Sequence, residues 1–245
     1  MNSVSPLVIA SLLAIRSRDF RLHIDSLQLT AGSITCIAGP NGSGKTTLIE
    51  CVIGLLWPQK GEVRVFGHPI TNDLRATKSL IGYIPDDEEW FIKELSAQEY
   101  LEVLTHVYQE AGVTADIHDN IYRIAEQLHF TQFTSPLDQL SHGNKKKVQI
   151  IAGLMHEPGL IVIDELRNGL DPLAIIAAER LITAQARRGA CILAATHDVW
   201  WAERVAKKVL LLVDGKVALH DSTATIKKKY GSIESLFVSL DGMSK

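Results

Sequence analysis

The period of the hydrophobic positions changes twice along the chain, and this divides it into three stretches. In the first stretch, short apolar or alternating runs predict β-strands at 7–15, 20–29, 33–39, 62–67 and 81–85. From about residue 87 to 158 the helical period prevails, in runs at 96–111, 117–130 and 142–157. Strand-like runs return at 160–165, 190–196 and 209–217, and a helical run at 174–188 separates the first two.

Strands that alternate with helices predict an α/β fold. Its sheet is expected to be mainly parallel and covered on both faces. The helical stretch at 87–158 predicts an all-helical insertion into this fold. A glycine-rich turn at 39–44 precedes an apolar helical run at 46–56, which Pro58 and Gly61 end.

Composition and charge limit the class of protein and leave the predicted fold unchanged. The 245 residues are 46% hydrophobic and 22% charged, as in ordinary globular proteins, and the net charge of −3 argues against wrapping nucleic acid. The apolar run at 6–15 is shorter than the roughly 18 residues of a membrane span, and we interpret it as a strand, not a signal peptide. Three cysteines without CxxC spacing predict buried, reduced thiols and a cytosolic location.

The turn at 39–46 reads GPNGSGKT and matches the phosphate-binding pattern G-x-x-x-x-G-K-[ST]. Gly39, Gly42 and Gly44 allow a tight turn whose N–H groups point at phosphate oxygens, and the next helix presents its positive end. Lys45 can reach the β- and γ-phosphates, and the Thr46 hydroxyl can bind Mg²⁺. The other residues expected to contact the nucleotide are Pro40, Asn41, Ser43 and Thr47. The loop therefore predicts a bound nucleoside triphosphate.

Two carboxylates end the apolar run at 160–165. A buried parallel strand that ends at Asp164 places this side chain close to the phosphate loop, where it can hold Mg²⁺. Glu165, one residue further, is placed to orient or deprotonate the attacking water. Together with the phosphate loop, the pair predicts hydrolysis of the triphosphate.

Four motifs follow in order: GPNGSGKTTL, LSHGNKKKV, LIVIDELRNGLDP and ATHD. They resemble the motifs of ATP-binding cassette (ABC) ATPases, and the resemblance extends from about residue 7 to 240. It implies a P-loop NTPase fold of the RecA type, with an antiparallel β part at the N-terminus and an inserted helical subdomain. It implies ATP and Mg²⁺ as cofactors. The implied cassette at 1–240 has a core at 1–86 and 159–221, a helical subdomain at 87–158 and a C-terminal extension at 222–245.

LSHGN resembles the LSGGQ signature of the family, which begins a helix and contacts the γ-phosphate of ATP bound to the other protomer. Ser141 and Gly143 are accordingly expected to bind nucleotide, since a helix N-terminus presents a hydroxyl, N–H groups and a dipole end to an anion. The lysines at 145–147 point about 100° apart on a helix, so we expect a solvated face rather than a nucleic-acid patch. Neighbouring helical residues diverge, which argues against Ser141 and His142 as nucleophile and base.

Further roles follow from the resemblance. Asp171 resembles the aspartate that crosses the dimer interface. His197 resembles the switch histidine that contacts the γ-phosphate and helps to align the water. With Lys45 and Glu165, His197 completes the expected catalytic set.

The sequence departs from the family at three places. Asp86 stands where a glutamine usually helps to sense Mg²⁺; a carboxylate can still reach the metal, but an ionised one cannot donate a hydrogen bond. Leu166 and Arg167 replace proline and a small or apolar residue in the turn after the catalytic glutamate. Phe20 is the candidate for stacking on adenine, with a place in the strand core as the alternative.

The resemblance implies two partners and no nucleic acid. One is a second copy, or a homologous cassette, across two ATP molecules. The other is a separate transmembrane permease that docks near Asp86 to Leu95, where Trp90 and Phe91 either form the interface or fold back onto the core. The tail at 225–240 resembles the extension of bacterial exporter cassettes and packs either on its own core or on a second copy.

The expected function is that of an ATP-hydrolysing subunit that powers a membrane transporter. The resemblance of the tail at 225–240 indicates that this transporter is an exporter. It would lie in the cytoplasm at the inner face of the membrane, held there by its permease. Two alternatives remain, a soluble ABC ATPase not coupled to transport and a weakly hydrolysing regulatory cassette. The chain lacks an NKxD-type guanine-reading motif, which argues against a GTPase.

Overall fold

The structure is a computed structural model that describes residues 4–17, 20–70, 75–89 and 91–241. The strands in this part of the chain are β1 (Leu7–Ile15), β2 (Arg21–Leu29), β3 (Ser33–Ala38), β4 (Lys60–Val65), β5 (His68–Pro69), β6 (Ile81–Ile84), β7 (Leu160–Asp164), β8 (Cys191–Ala195), β9 (Lys208–Val213) and β10 (Lys216–Ser222). The α-helices are α1 (Lys45–Val52), α2 (Arg75–Lys78), α3 (Ala97–Glu110), α4 (Ile117–Gln127), α5 (His142–Leu154), α6 (Pro172–Arg187), α7 (Val199–Val205), α8 (Thr223–Tyr230) and α9 (Ile233–Asp241), and a 3-10 helix spans Leu137–Gln139.

These strands form one sheet in the order β5-β4-β1-β2-β10-β9-β3-β8-β7-β6. From β9 to β6 neighbouring strands are parallel. β1 pairs antiparallel with β2 and β4. The predicted α/β fold, with a parallel core and an antiparallel N-terminal part, is therefore confirmed. Because β3, β7 and β8 run in one direction, the loops that follow them meet at one edge of the sheet.

Successive side chains of the central strands point to opposite faces of the sheet, and both faces are buried. In β7, Ile161 and Ile163 join a hydrophobic cluster that includes α5, α6 and α7. Leu160 and Val162 point to the opposite face and join a second cluster with α1, β1 and β2. Such two-sided burial explains why β7 is almost uniformly apolar rather than alternating.

The strand-like run at 209–217 contains a hairpin rather than one strand. Asp214 and Gly215, between β9 and β10, have φ angles of 47° and 73°. Positive φ at both central residues is the condition for a type I′ turn, which Asp-Gly favours. The sheet therefore gains β10, which joins the parallel part to β2.

The segment between β6 and β7 contains α3, α4, the 3-10 helix and α5, as the periodicity predicts. Phe91 requires a correction, because it is not part of an exposed interface. Its side chain is buried, and its ring meets that of Tyr100 edge to face with centroids 5.2 Å apart. An aromatic side chain gains more by filling this core than by remaining in water. Trp90, the other predicted interface residue, lies outside the described residues.

The C-terminal helices pack on the core of the same chain. Ile226 in α8, and Ile233 and Leu236 in α9, are buried within the cluster that contains α6 and α7. Of the two alternatives for the tail, packing on its own core is therefore the one observed. Within the ranges described, no helix combines the length and apolar character needed to span a bilayer.

Candidate functional site

The phosphate loop lies between the end of β3 and the start of α1. Gly44 has φ 107° and ψ 11° at the N-cap of α1, and a Cβ there would lie 2.9 Å from Cζ of Phe20. Only glycine fits this position without strain or a clash. Lys45 Nζ donates hydrogen bonds to the carbonyls of Gly39 at 2.8 Å and Pro40 at 3.0 Å. Burial lowers the pKa of Lys45, while the charges of Glu165 and Asp164 oppose this change.

An open cleft of about 740 Å³ adjoins this loop. It is lined by Arg16, Phe20, Asn41, Gly42, Gly44, Lys45, Thr46, Thr47, Asp86, Asp164, Glu165, Asn168 and His197. The predicted residues that do not line it are Gly39, Pro40, Ser43, Ser141, Gly143 and Asp171. Gly39 and Pro40 shape the loop through their carbonyls, and the Ser43 side chain is buried. The volume and polar lining suit a small charged ligand.

The carboxylates of Asp86 and Asp164 line the same cleft. Asp164 ends β7, and Asp86 lies two residues beyond β6. Asn168 Nδ2 donates a hydrogen bond of 2.7 Å to Asp86 Oδ1. Burial, followed by the charges of Asp86 and Glu165, raises the pKa of Asp164 to about 6.

This crowding of negative charge suits a cation. Oxygen donors from Thr46, Asp86 and Asp164 are the type that Mg²⁺ prefers. Across the described ranges, no group of three or more His, Cys, Asp and Glu side chains converges as a metal site. Mg²⁺ is usually held by one or two carboxylates together with substrate phosphates and water, and Asp86 and Asp164 could supply these carboxylates.

Glu165 follows β7 with a left-handed backbone, φ 49°. Its Oε1 accepts hydrogen bonds from the main-chain N–H of His197 at 2.9 Å and, when the ring is protonated there, from His197 Nδ1 at 2.8 Å. Its Oε2 accepts one from Thr196 Oγ1 at 3.2 Å. Both oxygens are thus fixed by the loop that follows β8, which places Glu165 and His197 in direct contact at the cleft.

The turn after Glu165 contains the departures from the family. Leu166 is buried, at 1% exposure. Arg167 forms an ion pair with Asp198 in the loop after β8, and its Nε lies 3.8 Å from Glu179 Oε1 in α6. Arg167 therefore joins the loop of Glu165 to the loop of His197.

The signature segment begins α5 at a distance from the cleft lining. Ser141 is exposed at the N-cap, where its Oγ accepts from the N–H of Asn144 at 3.3 Å. A Cβ at Gly143 would lie 2.7 Å from the carbonyl of Gly169, so glycine allows this close approach. Asp171 caps α6, with Oδ1 accepting from two main-chain N–H groups at 2.9 Å. Within one chain, Ser141, Gly143 and Asp171 are not brought to the cleft.

The lysines at 145–147 do not form a solvated face, which corrects the sequence-based expectation. Lys146 is 1% exposed and Lys147 9% exposed. Lys146 Nζ donates to the carbonyls of Pro85 at 2.6 Å and Asp164 at 3.4 Å. Burial lowers the pKa of Lys146 to about 8, and the charges of Asp86 and Asp164 oppose this change. The expectation failed because α5 packs one lysine-bearing face against β6 and β7.

Sequence reasoning missed four residues at or beside the cleft: Arg16, Lys146, Asn168 and Thr196. One signal was available for Lys146, since the helical period places it one turn before Ile150 on the buried face of α5. Arg16, Asn168 and Thr196 gain their partners only through contacts between distant segments. Arg16, for example, pairs with Glu50 on α1.

Comparison with known proteins gives a consistent picture. The sequence model of the ABC transporter family matches residues 22–168. The chain is 30% identical to the ABC-type transporter ATP-binding protein EcsA of Bacillus subtilis over 88% of each chain. It is 28% identical to the SkfA peptide export ATP-binding protein SkfE of the same organism, over 78% of this chain and 79% of the relative. Its fold matches a solved ATP-binding subunit of an ABC transporter with a TM-score of 0.88 and 27% identity, over 97% of this chain and all of the other.

Proposed function

The chain belongs to the ABC transporter family and is an ATPase, and from this premise we propose that its cleft hydrolyses ATP to power a membrane exporter. One observation carries the proposal. The cleft brings Lys45, Asp164, Glu165 and His197 together beside the phosphate loop. These side chains come from three loops that meet at one edge of the sheet.

Each group has a defined role in this proposal. Loop N–H groups and the N-terminus of α1 hold the phosphates, and Lys45 exchanges its bonds to Gly39 and Pro40 for phosphate oxygens. Glu165 accepts a proton from the attacking water. His197 holds Glu165 in place through its ring and its N–H. Phe20, beside Gly44, is the proposed platform for adenine.

The metal site in this proposal consists of Thr46, Asp164 and Asp86. Bound Mg²⁺ would neutralise charge on the β- and γ-phosphates. Asn168 orients the Asp86 carboxylate through its 2.7 Å hydrogen bond. Burial is the main cause of the raised pKa of Asp164, and the charges of Asp86 and Glu165 add to it; a bound cation would relieve this second contribution.

A second copy would complete the site. Ser141 and Gly143 do not line the cleft of their own chain, yet Ser141 stands exposed at a helix N-terminus, a geometry suited to an anion. Two exposed apolar side chains flank the loops of Asp171 and His197, namely Leu173 at 72% and Trp200 at 73%. We assign this surface to a head-to-tail dimer that encloses two ATP molecules.

The permease would dock in a different place. A groove of about 290 Å³ separates α1 and β6 from α3, and its apolar lining includes Leu55, Tyr83, Pro85, Leu104 and Val107. Leu55 is 44% and Val107 55% exposed in the same groove, and grouped apolar surface of this kind is typical of protein contacts. Pro85 adjoins Asp86, so a partner in this groove would contact the segment that carries a proposed metal ligand. Because Phe91 is buried and this groove is open, the groove is the better candidate for the permease contact.

Export is the proposed direction, and its support is the relative whose name specifies peptide export. In this proposal the subunit lies at the inner face of the cell membrane, because its permease would hold it there.

The test is a Glu165→Gln variant. We expect turnover to fall by about 100-fold or more, because a general base contributes on that scale. ATP binding should persist, and an ATP-bound dimer should accumulate in sedimentation experiments with Mg²⁺. The matched control is Glu110→Gln at the exposed end of α3. Turnover within twofold of the wild type would place the base elsewhere, and lost turnover without ATP-dependent dimers would refute the proposed dimer.

A further inference from the structure

Helix α5 lies unusually close to the strand that leads to Asp86. A Cβ at Gly82 in β6 would come within 2.0 Å of the carbonyl of Gly153, so only glycine permits this approach. One face of α5 consequently runs along the segment after β6. Gln149 donates to the Asp87 carbonyl, and Lys145 Nζ donates to Glu88 Oε2 at 2.8 Å. His142 Nδ1 lies 2.7 Å from Glu88 Oε1.

Lys146 differs from these neighbours because it also reaches the core. Its Nζ donates to the Pro85 carbonyl at 2.6 Å and contacts the Asp164 carbonyl at 3.4 Å. Pro85 immediately precedes Asp86, and Asp164 is itself a proposed metal ligand. Both acceptors are main-chain oxygens, so these contacts fix the backbone from which the two carboxylates project.

A lysine in this place is costly, which argues for a specific role. Lys146 is 1% exposed. Removing an ammonium group from water costs free energy unless hydrogen bonds and opposite charges compensate. Here Asp86, Asp164 and Glu165 supply the opposite charge. An apolar side chain of similar volume would fill the same space without that cost.

We propose that Lys146 is a positioning residue for the metal site, whose buried ammonium group fastens the segments of Asp86 and Asp164 to the helix that begins after Ser141. This rests on the proposed function of Asp86 and Asp164. Helix α5 then has two roles, because it presents Ser141 at one end and fixes the spacing of the metal ligands one turn later. Because Lys146 does not contact the phosphate loop, it acts on metal binding and not on nucleotide binding.

The experiment compares Lys146→Met with Lys145→Met, its neighbour that also bonds to the segment after β6 but does not contact Pro85 or Asp164. Mn²⁺ binding is measured by electron paramagnetic resonance in the presence of AMP-PNP. We expect Mn²⁺ affinity to fall by about tenfold or more in Lys146→Met, the range found when residues that orient metal ligands are replaced. Lys145→Met should bind Mn²⁺ as the wild type does.

Two further measurements separate positioning from folding. AMP-PNP affinity in EDTA should be unchanged in Lys146→Met. Its thermal midpoint should fall, because the carbonyls of Pro85 and Asp164 and the nearby carboxylates lose a buried partner, but the variant should remain folded at the assay temperature. Lys146→Gln, which keeps a donor without the charge, should have intermediate Mn²⁺ affinity.

Mn²⁺ affinity within twofold of the wild type in Lys146→Met would overturn the proposal. So would a failure of both Lys146 variants to fold, since the residue would then hold the fold and not the ligands. If the wild type itself binds no Mn²⁺ with AMP-PNP, the proposed metal site is wrong, and this inference falls with it.

Discussion

Glu165 combines an uncommon backbone conformation with a carboxylate that neighbouring residues hold in place. Its left-handed backbone, φ 49°, is uncommon for a side chain other than glycine, asparagine or aspartate. Three hydrogen bonds from Thr196 and His197 hold its carboxylate. Strain of this kind persists where neighbouring contacts outweigh it, and it clusters at functional sites. Among the described residues, Oε2 accepts only the bond from Thr196, so it keeps a lone pair that can accept a proton from water while the other bonds hold the carboxylate.

The burial of His156, two residues beyond α5, predicts how the stability of the protein depends on pH. His156 is 3% exposed, its ring stacks on Tyr108 with centroids 3.8 Å apart, and its Nε2 lies 3.1 Å from the Ile81 carbonyl. Burial lowers its pKa to about 4. Between pH 6.5 and 4, His156 therefore binds more protons in the unfolded chain than in the folded one. The contribution of His156 to the free energy of unfolding is fully present above pH 6.5 and decreases as the pH falls. The loss is on the order of 3 kcal/mol.

The measurement is urea unfolding at several pH values between 7 and 4.5. His156→Gln keeps a donor for Ile81, and its free energy of unfolding should fall less steeply with decreasing pH than that of the wild type. His118→Gln removes an exposed histidine from α4 and should keep the wild-type slope. Equal slopes for His156→Gln and the wild type would show that His156 is not a buried neutral group.

At the scale of elements, one contact joins the two loops that carry the proposed catalytic pair, Glu165 and His197. Arg167, after β7, forms an ion pair with Asp198, after β8. Asp198 in turn caps α7 by accepting from the N–H of Trp201 at 2.8 Å. The charge pair therefore ties the loop of Glu165 to the first turn of α7. The arginine holds the turn after Glu165 through charge.

Arg167→Ala should slow ATP turnover without much change in KM for ATP, because the phosphate loop does not contact this pair. We expect a loss between about threefold and thirtyfold, smaller than for a catalytic group because the pair is partly exposed and screened by solvent. Arg204→Ala is the control, since Arg204 pairs with Glu179 in the same cluster without contacting Asp198. Steady-state kinetics would contradict the assignment if both variants lost turnover equally.

Elements also explain what could be predicted from the sequence. Asp164 ends one apolar strand and His197 lies two residues after the end of another, so the parallel sheet alone brings them to one edge. The helical period indicates that Lys146 lies on the buried face of α5, but its partner could not be predicted, because Pro85 is 61 residues away and the contact depends on the approach of α5 to β6. For the same reason the sequence left open whether Phe91 forms an interface or folds back onto the core, since its position depends on packing against Tyr100 in α3.

At the scale of the whole molecule, the phosphate loop and Ser141 are separate features within one chain. The cleft is lined by Lys45 but not by Ser141, and Leu173 and Trp200 expose apolar surface nearby. In a two-fold dimer, each contact between different patches occurs twice. A head-to-tail dimer would therefore build two equal composite sites, each with the phosphate loop of one copy and Ser141 of the other.

This arrangement predicts complementation between two inactive variants. Lys45→Ala should lack the phosphate-loop contact, and Ser141→Arg should block the signature end of α5. In a mixed dimer one site carries both defects, but the other joins an intact phosphate loop to an intact Ser141. If copies pair at random and sites act independently, an equimolar mixture should recover about a quarter of wild-type ATPase activity. Mixing Lys45→Ala with a chain that carries both substitutions should recover nothing. Activity equal to the sum of the separate variants would mean that each chain acts alone, with Ser141 remote from any nucleotide.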